Sequence, residues 1–523
     1  MNQSDQQHRV WIASILSAAI MLLYMQVLSR QADSSKARQS QAQLQQLVAQ
    51  NLTIHKPAVI VPQLTAHEDL IELESTQLLL RVGVTSAVVH EIVLKNFTTI
   101  STKEPLEFGR TYPVLAVGLG QGLQSWKLSQ RSSAAATWTQ DDEAGVSRQL
   151  TVELAPQSPT FSVELRGENH SLQPASLQAR VVSSWGRSDA SSGRGSILET
   201  VILTKKQQPW QRLYLRYFSG TSPRIVPRGT LLLTQAERYF CQAVKPQEAA
   251  TATILAAPEP GKTTAASLES ALEAKPGELA RTRFDVYVGP RDFFKLRDAG
   301  FAEAFPIGIL GRIGLVLMLF LKGIASLTHN YGVAIVLLSL TVTLVLSPFT
   351  MMSVRSMKKM QELQPKLQHL KNKHKSDPQR MNKESFALFR EHRVSPLGGC
   401  LPLLLSLPIF FAIWSAISHV IELRGEHFLW IKDLSLPDKL ATLPFGMELN
   451  ILPVIMAGAM FLQTKISQGN MPQADSNPTA RAMSGPMMPV LFGFMFYQLP
   501  SGLVLYWLMN SLATIAVYRI AKT

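Results

Sequence analysis

Ser339, Thr343 and Ser347 recur every fourth residue, and Thr350 follows three later, inside the apolar run YGVAIVLLSLTVTLVLSPFT (331–350). The run is long enough to cross a bilayer, and helical spacing puts all four hydroxyls on one face. Uncharged hydroxyls can do one kind of chemistry, hydrogen bonding. Their partners would be a carbonyl of the preceding turn, a neighbouring helix or water. Tight packing explains a single hydroxyl; four in register also suit a hydrated cavity. Tyr506, Asn510, Thr514 and Tyr518 form a second stripe of the same period in another apolar run. No nucleophile–base pair lies in such runs, and no Cys/His cluster has zinc-site spacing. Neither enzymatic catalysis, a metal nor a cofactor is expected.

The elements that must position these stripes are membrane spans. With 523 residues and a net charge of +14, the chain is too long for one soluble core and too rich in apolar runs to be wholly soluble. Much of the basic excess lies in 353–393, with Arg355, Lys358, Lys359, Lys366, Lys371, Lys373, Lys375, Arg380, Lys383, Arg390 and Arg393 against four carboxylates. Both flanks of KSDPQR favour helix, which predicts a basic helical hairpin within 353–397. The charge serves as a topology signal and attracts anionic lipid. It also suits ribosomal RNA or an acidic nascent chain.

His8 and Arg9 precede VWIASILSAAIMLLYMQVL, read as an uncleaved signal anchor over 1–30 with its N-terminus in the cytoplasm. A Gln-rich tether, helical or disordered, fills 31–56. The period then changes to two across 57–290. QLTVELAP, TFSVELRGE and RFDVYVGP alternate apolar and polar residues, which predicts an all-β sandwich or barrel-like domain. The Ala/Pro/Thr-rich stretch 245–280 reads as a long loop. EPGKTT within it lacks the first glycine of a phosphate loop, and no strand is read leading into it.

Residues 305–327 are apolar enough to span. Crossing there and again at 331–351 would put the basic hairpin outside, against the positive-inside rule. Residues 291–330 therefore read as carrying an amphipathic helix on the outer interface, with Arg312, Lys322, Ser326 and His329 within an arc of roughly 100°. Further spans are expected near 400–421, 448–465, 484–499 and 501–520, making six with the anchor. Cys241 and Cys400 then fall on opposite sides of the membrane and are poor candidates for a disulfide.

SPLGGCLPLLLSLPIF (395–410), LQPKLQ (363–368), IELRGEHFLWIKDLS (421–435) and LPSGLVLYW (499–507) resemble the YidC family of membrane protein insertases. ERYFCQAVKP and YVGP resemble the periplasmic domain of its Gram-negative members. The resemblance covers nearly the whole chain and is strongest over 331–520. It implies a five-span core (331–523) around a groove open to cytoplasm and lipid but closed outside, preceded by a periplasmic β-supersandwich. Ser339, Thr343, Ser347, Ser406, Tyr506, Trp507, Asn510 and Thr514 would line the groove. Lys358, Lys359, Lys366, Lys371, Lys373 and Arg380 would be the hairpin's contact residues. The family usually carries an arginine five residues before the proline of SPFT; here that residue is Thr343. No Asp, Glu, Lys or Arg occurs in 400–418, 449–464 or 485–518.

The resulting expectation is a bacterial inner-membrane protein with both termini cytoplasmic and residues 31–330 periplasmic. It would insert and help fold nascent membrane proteins, alone or with SecYEG and its associated components, beside a translating ribosome and anionic lipid. The alternative is a small-solute transporter or channel. Such proteins usually place ionisable groups or broken helices near the midplane, and this core has neither such charges nor an evident repeat.

Overall fold

The computed structural model describes residues 68–522, apart from 100–102, 110–112, 120–124, 142–144, 187–197, 206–211, 219–222, 249, 256–262, 306–308, 375–377, 393–400, 443–447 and 469–486. The expected anchor, the tether and Cys400 lie outside the described residues.

β8 (Val146–Leu154), β9 (Thr160–Asn169) and β17 (Leu279–Pro290), the strands with the clearest alternation, lie side by side. Leu150, Val152 and Leu154 oppose Leu165, Val163 and Phe161. These in turn oppose Thr282, Phe284 and Val286. The three rows are buried, so the period-2 pattern of each strand contributes one inward ladder. Among the described residues, seventeen strands join one sheet in this way. The sheet curls into a half-barrel, and Glu74 N–H, in β1 (Leu70–Glu74), donates to Ser133 O at 2.7 Å in the turn between β6 (Lys127–Arg131) and β7 (Ala135–Asp141). Trp138 and Trp185 are fully buried inside, the latter stacked on Phe108 at 4.3 Å.

The stretch 245–280 is not a loop. It contains β15 (Ala250–Leu255) and β16 (Thr263–Ala274), which pair with each other. β16 also pairs along its whole length with β10 (Ala175–Gly186). A strand therefore does lead toward EPGKTT, but the next element is another strand, without the helix a phosphate loop requires. Alanines at 250, 252, 265 and 266 are buried here. Alanine is a poor strand former, and packing overrides that preference.

After the sheet come α1 (Phe293–Asp298), α2 (Ile309–Thr328), α3 (Tyr331–Lys373), α4 (Pro378–Glu391), α5 (Leu401–His419), α6 (Leu452–Gln468), α7 (Met487–Phe496) and α8 (Ser501–Lys522). Among the described residues, α2, α3 and α8 are long and apolar enough to cross a membrane. At 1.5 Å per residue α3 is about 65 Å long, twice a hydrocarbon core. The span and the first arm of the basic hairpin are thus one continuous helix, which passes through Pro348 and Pro365.

Proline offers no N–H, so Pro348 leaves the Leu344 carbonyl without its helical donor. Ser347 Oγ donates to that carbonyl at 2.8 Å. α2 presses its buried Gly314, Met318, Leu321 and Ala325 inward, and Gly314 lies against the Ala412 carbonyl of α5. Its exposed side carries Ile313, Val316, Leu319, Phe320 and Leu327.

Candidate functional site

One end of the helical bundle is closed by residues 420–440, which satisfy helix N-termini that would otherwise present orphan N–H groups. Asp438 Oδ2 accepts the Ile451 and Leu452 N–H groups at 3.1 and 2.8 Å, capping α6. Ser501 and Gly502 N–H at the start of α8 donate to Leu436 O and Leu434 O. Asn330 caps α3 through the Val333 N–H and reaches His427 O with its amide. Phe428 sits on Gly332, where a Cβ would collide with its ring. α3 and α8 therefore start at the same end and pack against each other along their length.

That packing brings the two polar stripes together. Thr343 Oγ1 lies 2.9 Å from Asn510 Oδ1 and 2.8 Å from the Ser339 carbonyl. One hydroxyl proton cannot serve both acceptors. Turning the amide so that Nδ2 faces Thr343 satisfies both, with Asn510 donating to Thr343 and Thr343 to Ser339 O; oxygen and nitrogen of an amide are assigned from such networks. Ser339 is fully buried and donates to Val336 O, while Thr350 and Thr514 donate to Leu346 O and Asn510 O. Every hydroxyl of the first stripe thus bonds back to its preceding turn, and Thr343 also bridges helices.

Exposure differs along the stripes. Ser339 and Thr343 are buried, whereas Ser347, Asn510 and Thr514 are half-exposed. Tyr506 and Tyr518 are buried. Trp507 belongs to an aromatic cluster, stacked on Phe492 at 5.7 Å, edge-on to Phe410 at 4.9 Å, with its indole N–H on Met460 Sδ at 3.2 Å. Sequence spacing does not single out this cluster, because its members come from four helices. Ser406 falls in α5, and its side chain lies outside the described residues.

On the hairpin, Lys358, Lys359, Lys366, Lys373 and Arg380 are exposed; the Lys371 side chain lies outside the described residues. The arms are tied by Lys366 Nζ to His392 Nε2 at 3.0 Å and His374 Nε2 to Glu384 Oε2 at 3.1 Å. Among the described residues, no group of three His, Cys, Asp or Glu could hold a metal ion.

Three links that sequence reasoning missed hold the sheet domain to the bundle. Lys322 of α2 bonds Asp292 at 2.6 Å and Glu422 at 3.0 Å. Arg424 donates to Thr98 O at 3.2 Å. Arg238 donates to Ser418 O and Ser435 O at 3.4 and 3.3 Å. The charges are visible in the sequence, but their partners are up to 326 residues away, and no local pattern announces such a pair.

A charge-poor apolar bundle with an internal polar seam, joined to a large sheet-rich domain, defines the class: a helical membrane protein. Residues 323–523 match the model of the family described as 60Kd inner membrane protein. The membrane protein insertase YidC of Geobacter sp. (strain M21) is 41% identical over 244 residues, 46% of this chain and 43% of that protein. The protein of the same name from Syntrophus aciditrophicus (strain SB) is 36% identical over 283 residues, 53% and 49%. This chain thus spans about half the length of these relatives. A solved structure titled "Active YidC insertase crystal structure with the first transmembrane domain resolved" is 20% identical, covers 87% of this chain and 93% of that one, and has a TM-score of 0.36. Over the matched part this chain is similar to YidC proteins, in agreement with the resemblance of its sequence motifs.

Proposed function

We propose that the chain is a non-enzymatic membrane protein insertase and folding chaperone for hydrophobic segments of newly made inner-membrane proteins. The observation that carries this reading is the Thr343–Asn510 contact: two polar stripes meet between the apolar stretches 331–354 and 501–518, which hold no Asp, Glu, Lys or Arg. A charged residue at the bilayer centre costs about 2.5–3.5 kcal/mol on insertion scales. A seam of Ser347, Asn510 and Thr514 would keep a client's polar tail hydrated while its apolar segment meets lipid. Among the described residues one hydrogen bond, Thr343–Asn510, bridges the two stripes, worth about 0.6 kcal/mol on average in a membrane. Met456, Met460, Met487, Met488 and Met495 suit either an adaptable client surface or plain packing.

In this reading six spans cross the membrane and α2 lies on the outer interface. The curled sheet forms a periplasmic supersandwich, both termini are cytoplasmic, and the loop 420–440 closes the outer end. The basic hairpin would meet anionic lipid and the translating ribosome. SecYEG would be a partner for some clients. The YidC name of the relatives supports the insertase over the transporter.

The test uses purified protein in liposomes. A short single-span client should become protease-protected only in vesicles that contain it, with no leak of small solutes. Solute flux without client insertion would establish the transporter instead.

A further inference from the structure

Residues 426–432 form a tight turn in which Phe428 and Ile431 exchange backbone hydrogen bonds at 3.0 and 2.9 Å. Ile431 and Phe428 point inward, the latter onto Gly332. The two residues between them do the opposite. Leu429 is 75% exposed and Trp430 39% exposed. Leu429 also holds a left-handed backbone, φ 54°, a conformation that costs a leucine on the order of 1 kcal/mol or more. A soluble loop would place Gly or Asn there and keep its tip polar. Here an apolar residue is strained outward.

The surroundings say what covers it. Asn330 Nδ2 donates to His427 O, so the turn sits beside the first turn of α3, where an apolar span meets its polar cap. Leu327, 82% exposed, ends the apolar outer face of α2 at the same corner, and Val333 continues it on α3. Trp430 directs its indole N–H toward Asp438 Oδ2 at 3.4 Å and leaves its ring exposed. This is the posture of a tryptophan at a membrane–water boundary, one end wet and one end apolar.

We infer that Leu429 and Trp430 are a lipid anchor: the turn inserts both side chains into the headgroup–acyl boundary of the leaflet at the closed end of the bundle. The occupant is phospholipid, because the turn continues apolar faces that already belong to the spans. The anchor pins loop 420–440 at a fixed depth, and with it the N-termini of α6 and α8 that this loop caps and the Asn330 cap of α3 that it holds through His427 O. This inference rests on the bundle lying in a bilayer, not on insertase activity.

The test attaches a nitroxide at Leu429→Cys, and separately at Trp430→Cys, in a Cys400→Ser background. The protein sits in nanodiscs of phosphatidylethanolamine and phosphatidylglycerol. Two reference sites bracket the result: Leu172→Cys on the sheet domain, where Leu172 is 96% exposed, and Val345→Cys on α3, where Val345 is 65% exposed. The ratio of oxygen to nickel-chelate collisions should exceed that of Leu172→Cys by about threefold at both turn positions, as for a group about 5–10 Å into the boundary. A ratio equal to that at Leu172→Cys would show an aqueous loop. Protection from both reagents would show a protein partner or a second copy on the patch. Either outcome overturns the anchor.

Discussion

At the scale of single residues, Thr343 and Asn510 form a coupled pair across α3 and α8. Thr343→Val keeps the shape and removes the hydroxyl, which leaves the Asn510 amide short of a partner. A double-mutant cycle with Asn510→Leu should give a coupling of about 0.6–1.7 kcal/mol in unfolding from detergent. Additive effects would mean that the contact contributes nothing. Arginine at 343 should be tolerated, since its flexible stem can carry the head toward the exposed end of the seam, and it should favour clients with acidic tails. Cys241 behaves differently from a surface thiol. Burial pushes its pKa up to about 12, so almost no thiolate exists at pH 7–8. Maleimide should leave Cys241 unmodified until the sheet domain unfolds; rapid labelling of native protein would contradict its placement.

Among the elements, α3 shows how proline is accommodated in a long helix. Ser347 donates to the carbonyl orphaned by Pro348. Ser347→Ala should therefore cost about 1 kcal/mol in unfolding midpoint measurements. In a Pro348→Ala background the helix regains its own donor, and the serine change should become neutral. An equal cost in both backgrounds would assign Ser347 a different role. The stripe's period was legible in the sequence because hydroxyl spacing on a helix is local. The alternating strands β8, β9 and β17 were legible for the same reason. β15 and β16 were not, because buried alanines give no contrast between inward and outward positions. Nor was the continuity of α3 legible: a proline with a serine before it reads as a break until the serine is seen bonding back. The start of α8 is held by Asp433, 68 residues before Ser501, a separation no local pattern spans, whereas the α6 cap Asp438 lies 14 residues before Leu452 but carries no motif that marks it.

For the molecule as a whole, the sheet domain is held to the bundle by a few polar links rather than left to swing. Lys322 sits between a fully buried Asp292 and a partly buried Glu422, and Asp292 also caps α1 through the Phe294 and Lys295 N–H groups. Lys322→Met would leave a buried carboxylate without its counter-charge, a change that is strongly destabilising where nothing else compensates. It should broaden the distance distribution between spin labels on Leu172→Cys and Val454→Cys, while Lys322→Arg should keep it narrow. Equal widths would show that the latch is not what holds the domain. The central claim is that a client's polar part travels along the seam between α3 and α8. Photo-crosslinkers at Ser347, Asn510 and Thr514 test it most directly, with lipid-facing controls at Val345 and Val490, both 65–67% exposed. A ribosome-stalled single-span client should crosslink at the three seam positions and far less at the controls. Uniform crosslinking at all five, or labelling of the controls alone, would contradict the account.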